Sequence, residues 1–385
     1  MCIRDSFRTP IGSFQGSLKD HKATELGTAV VKKCMEHSNL NGSEVDTVIL
    51  GQVLQTGCGQ NPARQAAINS GIDKDKTATT INQVCGSGLA AVTLGFNSLK
   101  LNDTNIVIAG GQESMTNSPH YLNYRMEKNL SEEKLKDSML IDGLIDAYDD
   151  YHMGVTAENV AEKYQITRND QDNFALNSQK KAIKAINENK FKEEIIPIKL
   201  KDQKIFDKDE YPRSDTNLEK LSNLKTVFKE NGTVTAGNAS GLNDGAAAVT
   251  LMNYKTSKDK GLKPIAKIVS WSQSGVDPKL MGTGPIPASK LALKKAGWNI
   301  KDLDLVESNE AFAAQSIAVI KELGLKEDIV NVNGGAIALG HPIGASGARI
   351  LVTLVHEMQK RKYKRGLATL CIGGGMGISM CVESI

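Results

Sequence analysis

Short apolar segments alternate along the chain with longer segments in which apolar residues recur at helical spacing. The apolar segments are DTVILGQV at 46–53, TNIVIAGG at 104–111, GAAAVTLM at 245–252, DIVNVNGG at 328–335 and GLATLCIGGGMG at 366–377. Strands that are apolar at nearly every position are typical of parallel sheets with helices on both faces. The pattern therefore predicts an α/β protein with parallel sheets.

The segment between about residues 117 and 242 has a different composition. It is polar, charged and poor in apolar runs, and it contains the helical patterns TAENVAEKYQ and QDNFALNSQKKAIKAINE. We predict an inserted domain here. A single hydrophobic core stops growing at roughly 250–300 residues, so a chain of this length is expected to contain more than one folding unit.

Two segments share one order of features and form a faint internal repeat. Residues 86–115 and 344–377 each run from glycine and small residues through an apolar helix and a polar turn to a buried strand, and then to glycines. Two similar halves would place their glycine-flanked loops across a shared interface.

The first six residues, MCIRDS, interrupt the pattern. Arg4 and Asp5 lie where a first buried strand would be expected, so the sequence predicts no complete buried strand at this point. We hypothesise that these six residues are not the native start of the chain. Intact-mass analysis of the naturally expressed protein tests this, and a mass that includes MCIRDS would contradict it.

Composition and charge exclude several classes of protein. Charged residues make up 24% of the chain and the formal net charge is only +3, which is not the strongly basic balance of a nucleic-acid-binding protein. No apolar stretch approaches the roughly 20 residues of a membrane span, and the sequence does not open on a signal peptide. We therefore expect a cytoplasmic protein with no nucleic-acid partner and no membrane partner.

The cysteines and histidines are scattered along the chain. There are six of each, and no two cysteines form a C-x-x-C pair. This spacing predicts neither a disulfide framework nor a zinc site, so we expect reduced thiols and no bound metal. The pattern suggests no function for Cys58, in TGCGQNPARQ.

Candidate chemistry begins with a cysteine and a histidine, each in a glycine-containing stretch. In INQVCGSGLAAV (81–92), Cys85 directly precedes a predicted helix N-terminus, whose partial positive charge favours the thiolate. A free cysteine is also among the residues most often buried and inert, so the residues alone leave both interpretations open. In NVNGGAIALGHPIGASG (331–347), His341 stands between Gly340 and Pro342, which presents the ring as a base or a hydrogen-bond donor requires. A lone histidine can equally be structural.

Two further stretches carry polar or reactive groups. In LCIGGGMG (370–377), Cys371 ends a buried strand, and the following glycines expose backbone N–H groups to a ligand or simply form a turn. In ESNEAFAAQ (307–315), Asn309 is either a functional residue or a helix cap. No phosphate-binding G-x-x-x-x-G-K-[ST] loop and no dinucleotide fingerprint occurs, so a nicotinamide dehydrogenase is not predicted.

Taken together, these four stretches resemble the thiolases in order and spacing, most closely the short-chain acetyl-CoA acetyltransferase branch. The likeness extends through GQNPARQAA, IAGGQESM, DGLIDAYDDYHMGVTAENVA, GTVTAGNASGLNDGAAA and GTGPIPAS, and so covers nearly the whole chain from Arg8 onward. The resemblance implies a five-layered α-β-α-β-α core from two similar α/β halves, with an inserted loop domain that covers coenzyme A. We accordingly predict one half at residues 1–116 plus 243–263, the loop domain at 117–242 and the second half at 264–385.

The resemblance also implies roles for the candidate residues. Cys85 would accept the acetyl group, His341 would activate it, and Cys371 would remove a proton from the second acetyl-CoA. One oxyanion hole would combine His341 with a water held by Asn309, and a second would use the backbone N–H groups of Cys85 and Gly373. The residues implied at the coenzyme A and acyl pocket are Leu144, His152, Met153, Arg213, Ser240 and Phe312. Of these, His152 could instead be a buried structural histidine and Arg213 a solvated surface side chain.

The activity implied by the resemblance is the reversible Claisen condensation of two acetyl-CoA molecules to acetoacetyl-CoA and CoA. A degradative 3-ketoacyl-CoA thiolase of broader chain length is the nearest alternative, and a non-catalytic acyl-CoA-binding relative is an alternative of a different class. The implied partners are acetyl-CoA, acetoacetyl-CoA and CoA, with no permanently bound cofactor. The implied assembly is a homodimer or homotetramer.

Overall fold

The computed structural model describes residues 1–125, 131 and 134–385. The strands in these residues are β1 (Cys2–Arg8), β2 (Gly12–Ser13), β3 (Thr47–Gly51), β4 (Thr77–Ile81), β5 (Ile106–Ser114), β6 (His120–Tyr121), β7 (Lys136–Asp137), β8 (Ile198–Lys199), β9 (Ile205–Phe206), β10 (Asn243–Met252), β11 (Ala266–Gly275), β12 (Leu305–Ser308), β13 (Arg365–Ile372) and β14 (Met376–Ser384).

The α-helices in the same residues vary in length from one turn to more than five. They are α1 (Ala23–His37), α2 (Pro62–Asn69), α3 (Ser87–Lys100), α4 (Met153–Lys163), α5 (Arg168–Asn187), α6 (Leu218–Ser222), α7 (Tyr254–Asp259), α8 (Pro285–Ala296), α9 (Ala313–Leu323), α10 (Ala336–Leu339) and α11 (Ser346–Arg361). A π-helical turn covers Leu140–Leu144, and short 3₁₀ helices cover Pro278–Thr283, Ile300–Asp302 and Glu327–Ile329. None of the described helices is both long enough and apolar enough to span a bilayer.

The strands of the two halves form one continuous path. Its order is β12-β13-β14-β11-β1-β10-β5-β3-β4, and β2 pairs with β10. Strands β1 and β11 join the halves through only two residue pairs, Cys2 with Lys267 and Ile3 with Ala266. The first half therefore contributes β1, β10, β5, β3 and β4, and the second contributes β11, β14, β13 and β12.

The expectation of parallel sheets is correct only for the outer strands. Pairs β3/β4, β3/β5 and β12/β13 are parallel, whereas β1, β10, β11 and β14 pair antiparallel with their neighbours. The reason is visible between β13 and β14, where a short glycine turn replaces the crossover helix that parallel strands need. Because these antiparallel strands are buried on both faces, they are apolar at nearly every position, as parallel strands are.

Five layers follow from the way each half buries its sheet. Helices α3 and α11 share the central core with the inner faces of both halves, α1 and α2 cover the outer face of the first half, and α8 and α9 cover that of the second. Along β5, Val107 and Ala109 face the central layer while Ile106 and Ile108 face the outer one, because side chains alternate along a strand. The α-β-α-β-α prediction is confirmed, and the repeat corresponds to α3 with β5 and to α11 with β13.

Two glycines let the N-terminal ends of α3 and α11 pack almost backbone to backbone. A Cβ atom on Gly88 would lie 2.7 Å from the backbone nitrogen of Ala348, and one on Gly347 would lie 2.4 Å from the backbone nitrogen of Leu89. No side chain fits at these distances, so the small residues in GSGLAAV and GASGARI are steric requirements. This contact brings the two glycine-flanked loops of the repeat together.

We predict that Gly347→Ala lowers the free energy of unfolding by about 1–3 kcal/mol, because the added methyl must separate α3 from α11. Urea denaturation followed by circular dichroism measures the change. Gly275→Ala is the matched control, since a Cβ there would meet its nearest neighbour only at 3.9 Å. Equal stability of the two variants would contradict the close-packing argument.

The prediction that the first residues form no complete buried strand is wrong, because β1 is a complete strand that includes Arg4 and Asp5. The strand pairs with β10 through a bulge between Ile3 and Asp5. The buried Asp5 carboxylate accepts hydrogen bonds from the Ser38 hydroxyl and from Arg4, and lies 2.5 Å from Nδ1 of His37. A charge in a sheet is tolerated when such partners surround it.

The apolar segment at 328–335 was also predicted to be a strand, and this prediction is wrong. It forms the end of the 3₁₀ helix Glu327–Ile329 and a turn in which Gly334 has φ +83°. Only one isolated bridge, between Val306 and Val330, remains of the expected pairing. Asn331 satisfies the backbone of β12 instead, through two side-chain hydrogen bonds to Ser308.

The segment predicted as an insertion packs against both halves, and its residues Ile198 and Phe206 lie in the outer core of the first half. In its described part, helices α4 and α5 pack on α9, and the short strand pairs β6/β7 and β8/β9 lie outside the main sheet. Residues 126–130, 132 and 133 of this segment are outside the described residues. The proposed domain limits stay a prediction.

Candidate active site

The turn between β4 and α3 carries Cys85 in a strained conformation. Val84, immediately before it, has φ +46°, which is unfavourable for a β-branched residue. The side chain of Ser87 holds the turn, since its hydroxyl donates to the Val84 carbonyl at 2.7 Å and accepts from the Gln83 N–H at 2.8 Å. Strain that persists because the surroundings enforce it is typical of functional sites.

Cys85 lies at the wall of a cavity of about 310 Å³ that includes most of the sequence-predicted site. His341 and Gly373 line the same cavity. So do all six residues predicted for the coenzyme A and acyl pocket, which are Leu144, His152, Met153, Arg213, Ser240 and Phe312. Segments widely separated in sequence thus converge on one site.

The remaining two predicted residues, Cys371 and Asn309, lie directly behind the cavity wall. Cys371 is fully buried and packs in one cluster with Met153, Met281 and Phe312. Asn309 is also fully buried, and its Nδ2 atom lies 3.5 Å from Nε2 of His341. Helix α9 begins only at Ala313 without a side-chain cap, so the capping interpretation of Asn309 is wrong.

His341 is held from three sides. Its backbone N–H donates to Oδ1 of Asn243 at 2.8 Å, its Nδ1 lies 2.6 Å from the Ser346 hydroxyl, and its Nε2 faces Asn309. Burial, together with the positive charge of Arg349, lowers the pKa of His341 to about 3. The imidazole is therefore neutral at physiological pH and able to accept a proton.

Both thiols are protonated in the resting site. Burial raises the pKa of Cys85 to about 11, although a hydrogen bond from the Gly373 N–H acts in the opposite direction. Burial, with a smaller contribution from Cys85, raises the pKa of Cys371 further still. The expectation that the helix N-terminus favours a Cys85 thiolate is therefore wrong, because desolvation outweighs the helix dipole. Each thiol must lose its proton to a base during a reaction.

The sequence left two interpretations each for His152 and Arg213. His152 caps α4, since its Nδ1 accepts the Gly154 N–H at 3.0 Å, and it also lines the cavity, so it has a structural contact as well as a place in the site. The Arg213 guanidinium lies 5.3 Å from the ring centroid of Tyr211 at the same cavity. Arg213 is thus an exposed side chain that also lines the cavity.

Several residues of the site were not found by sequence reasoning. Phe228 stacks on His152 with ring centroids 4.5 Å apart and meets Phe312 edge-on, but it stands in LKTVFKEN, which carries no motif. The buried Glu113 carboxylate accepts backbone N–H groups of Val53, Leu54 and Gly344 and so joins the two halves beneath the cavity. Its position in a glycine-flanked strand end, IAGGQESM, was the only signal for it.

Comparison with known proteins identifies the family. Residues 1–255 match the model for the N-terminal domain of thiolase, and residues 262–384 match the model for the C-terminal domain of thiolase. The chain belongs to the thiolase family.

This thiolase has similar relatives in several bacteria. The acetyl-CoA acetyltransferase of Rhizobium meliloti (strain 1021) is 54% identical over 386 residues, covering 100% of this chain and 98% of the relative. The acetyl-CoA acetyltransferase of Paracoccus denitrificans is 55% identical over 384 residues, covering 99% and 98%. The crystal structure of the Bacillus anthracis acetyl-CoA acetyltransferase has a TM-score of 0.97 at 44% identity and covers 100% of this chain and 98% of that chain.

In this thiolase, the loops that carry the two thiols and the histidine come from both halves. Cys85 comes from the first half, and His341, Asn309 and Cys371 come from the second. The close contact between α3 and α11 therefore sets the spacing between nucleophile and base. Such an arrangement of a half-buried thiol, a neutral imidazole and backbone donors is suited to covalent acyl transfer.

Proposed function

We propose that this thiolase is an acetyl-CoA C-acetyltransferase that catalyses the reversible condensation of two acetyl-CoA molecules to acetoacetyl-CoA and CoA. The observation that carries the proposal is that Cys85, His341 and Gly373 line a single apolar cavity, with Cys371 packed directly behind its wall. A protein that only binds acyl-CoA has no need for this combination. The similarity to the acetyl-CoA acetyltransferases of Rhizobium meliloti and Paracoccus denitrificans supports the same reaction.

In the first half of the reaction, Cys85 becomes acetylated. His341 takes the proton from the Cys85 sulfur, and the sulfur attacks the thioester carbonyl of acetyl-CoA. The carbon–sulfur bond to coenzyme A breaks, and the departing sulfur receives the proton from His341. The N–H of Gly373, directed at the Cys85 sulfur, is placed to stabilise charge at this centre together with the N–H of Cys85 itself.

In the second half, a carbon–carbon bond forms. Cys371 first transfers its proton to His341 and then, as its thiolate, removes a proton from the methyl group of the second acetyl-CoA. The resulting carbanion attacks the acetyl carbonyl on Cys85, the carbon–sulfur bond to Cys85 breaks, and the released Cys85 sulfur takes the proton back from His341. The α-proton of a thioester is weakly acidic, so a base with a high pKa suits this step, and the raised pKa of Cys371 provides one. We propose that Asn309 and His341, which carries a proton on Nε2 at this point, donate hydrogen bonds to the enolate oxygen.

The apolar end of the cavity supports a short acyl chain. Cys85 packs against a cluster that contains Met115 and Ile343, and the wall continues through Leu144 and Met281. We propose that these side chains limit the length of the acyl chain that Cys85 can carry. A degradative thiolase of broader chain length is the alternative.

We expect the ratio kcat/KM for thiolysis of acetoacetyl-CoA to exceed that for a C8 or C10 3-ketoacyl-CoA by at least about tenfold, since each poorly accommodated methylene costs roughly 1 kcal/mol or more. Steady-state kinetics with the three substrates measure this. A preference for the longer chains would overturn the short-chain assignment without touching the thiolase chemistry.

Coenzyme A is proposed to reach the cavity as part of each substrate and not as a resident cofactor. Arg213, Ser240 and His152 line the cavity on the side of the inserted segment and are proposed contacts for it. A homodimeric or homotetrameric assembly and a cytoplasmic location remain expectations.

A further inference from the structure

The imidazole of His341 has a second polar neighbour besides Asn309. The hydroxyl of Ser346, in the first turn of α11, lies 2.6 Å from Nδ1 of His341 and 2.9 Å from the carbonyl oxygen of Pro342. His341 and Ser346 are both buried, with 5% and 1% of their surface exposed. Water therefore does not compete readily for either hydrogen bond.

The hydrogen of the Ser346 hydroxyl determines which ring nitrogen of His341 carries the proton. A serine hydroxyl has one hydrogen, and of its two neighbours the Pro342 carbonyl can only accept, whereas Nδ1 of His341 can donate or accept. Nδ2 of Asn309 can only donate, and it faces Nε2 of His341, which fits a ring hydrogen on Nδ1 that is donated to the serine oxygen. In a neutral imidazole this leaves the lone pair on Nε2, the atom that faces Asn309.

We propose that Ser346 is a positioning residue that holds His341 in the tautomer with its hydrogen on Nδ1, so that Nε2 is free to accept the proton of Cys85. The inference rests on the proposed function of His341 as the base. The backbone also helps to orient His341. The side chain of Asn243 accepts the His341 N–H and lies next to Gly340, whose φ of +108° sets the direction in which the chain enters His341.

The choice of a hydroxyl as partner has a chemical consequence. A carboxylate at this position would stabilise the imidazolium and raise the pKa of the ring, whereas a neutral hydroxyl orients the ring without adding charge. The charged or titratable groups that act on the site are Arg349 on α11, the buried Glu113 on β5, which acts on Cys85, and the thiols of Cys85 and Cys371. Ser346 thereby fixes the tautomer of His341 without adding charge, so the imidazole stays neutral until it takes the proton of Cys85.

Alkylation of Cys85 by iodoacetamide tests the proposal without the natural substrate. The rate is followed on the Cys85 peptide by mass spectrometry between pH 7 and pH 10.5 for the wild type, Ser346→Ala and Ser346→Thr. Ser270→Ala is the matched control, since its buried hydroxyl donates to the Ala292 carbonyl at 2.7 Å in another part of the fold.

Near pH 7 we expect Ser346→Ala to react about 10- to 100-fold more slowly than the wild type, because the ring loses its defined tautomer. The difference should disappear as the pH approaches the Cys85 pKa of about 11, where the thiol ionises without a base. Ser346→Thr keeps the hydroxyl and should stay within about threefold of the wild type, as should Ser270→Ala.

The outcomes separate positioning from general structural damage. Equal rates for Ser346→Ala and the wild type at every pH, or a deficit of constant size at every pH, would overturn the proposal. A loss in Ser346→Thr as large as that in Ser346→Ala would do the same. If Ser346→Ala does not fold, Ser346→Cys replaces it, because a thiol is a weak acceptor. Failure of the wild type to become acetylated by acetyl-CoA would instead refute the proposed function and leave the alkylation result intact.

Discussion

Replacement of Cys85 by alanine is expected to abolish acetyl transfer. The variant should incorporate no label from radiolabelled acetyl-CoA, and its thiolysis of acetoacetyl-CoA should fall by at least about 10⁴-fold, because no other group at the cavity can form the covalent intermediate. We do not expect Cys371 to substitute, since its pKa is raised even further than that of Cys85. Filter-bound radioactivity and a spectrophotometric thiolysis assay measure the two effects.

Cys58→Ala is the control for loss of a thiol elsewhere in the first half. Cys58 is half-buried, its sulfur accepts a hydrogen bond from Gln52, and it does not line the cavity. Its replacement should leave labelling and thiolysis within about threefold of the wild type. Undiminished labelling of Cys85→Ala would refute the assignment of the nucleophile.

Much of this fold was predictable because buried strands and helices have characteristic patterns of apolar residues in the sequence. The strands β3, β5, β10 and β13 follow from apolar runs, and the repeat follows from glycines that the α3–α11 contact requires. Strand direction was not predictable, because a strand buried on both faces has the same composition whether its neighbours are parallel or antiparallel. The error at 328–335 has a similar origin, since an apolar run can fill a buried turn as well as a strand.

Site residues that stand in an unusual sequence motif could be predicted. Site residues that are defined only by a contact in the folded protein could not. Cys85, His341 and Cys371 stand in glycine-rich stretches whose composition is unusual. Phe228 and Asn243 act through contacts with residues far away in the sequence, with His152 and His341 respectively, and nothing around them in the chain indicates a partner. The protonation state of Cys85 was missed for a related reason, because the extent of desolvation depends on the packed core and not on the local sequence.

Replacement of Cys371 by alanine should separate the two half-reactions. We expect Cys371→Ala to acetylate Cys85 within about tenfold of the wild-type rate, since neither the sulfur of Cys85 nor the His341 base is altered. Condensation to acetoacetyl-CoA should fall by about 10³- to 10⁴-fold, which is the contribution expected of a positioned base in proton abstraction. Single-turnover labelling reports the first step and a coupled assay for acetoacetyl-CoA reports the second.

The separation is informative because Cys371 is packed directly behind the cavity wall, where its removal could also act through lost packing. If Cys371 only filled space, its removal would disturb acetylation and condensation alike, as loss of packing around Met153 and Phe312 would displace the whole wall. Cys381→Ala provides the matched comparison, because Cys381 is equally buried on the neighbouring strand β14 and its pKa is likewise raised by burial, to about 11. That variant should lose stability but keep both half-reactions. Normal condensation by Cys371→Ala, or an equal loss of both steps relative to Cys381→Ala, would contradict the role of Cys371 as the base.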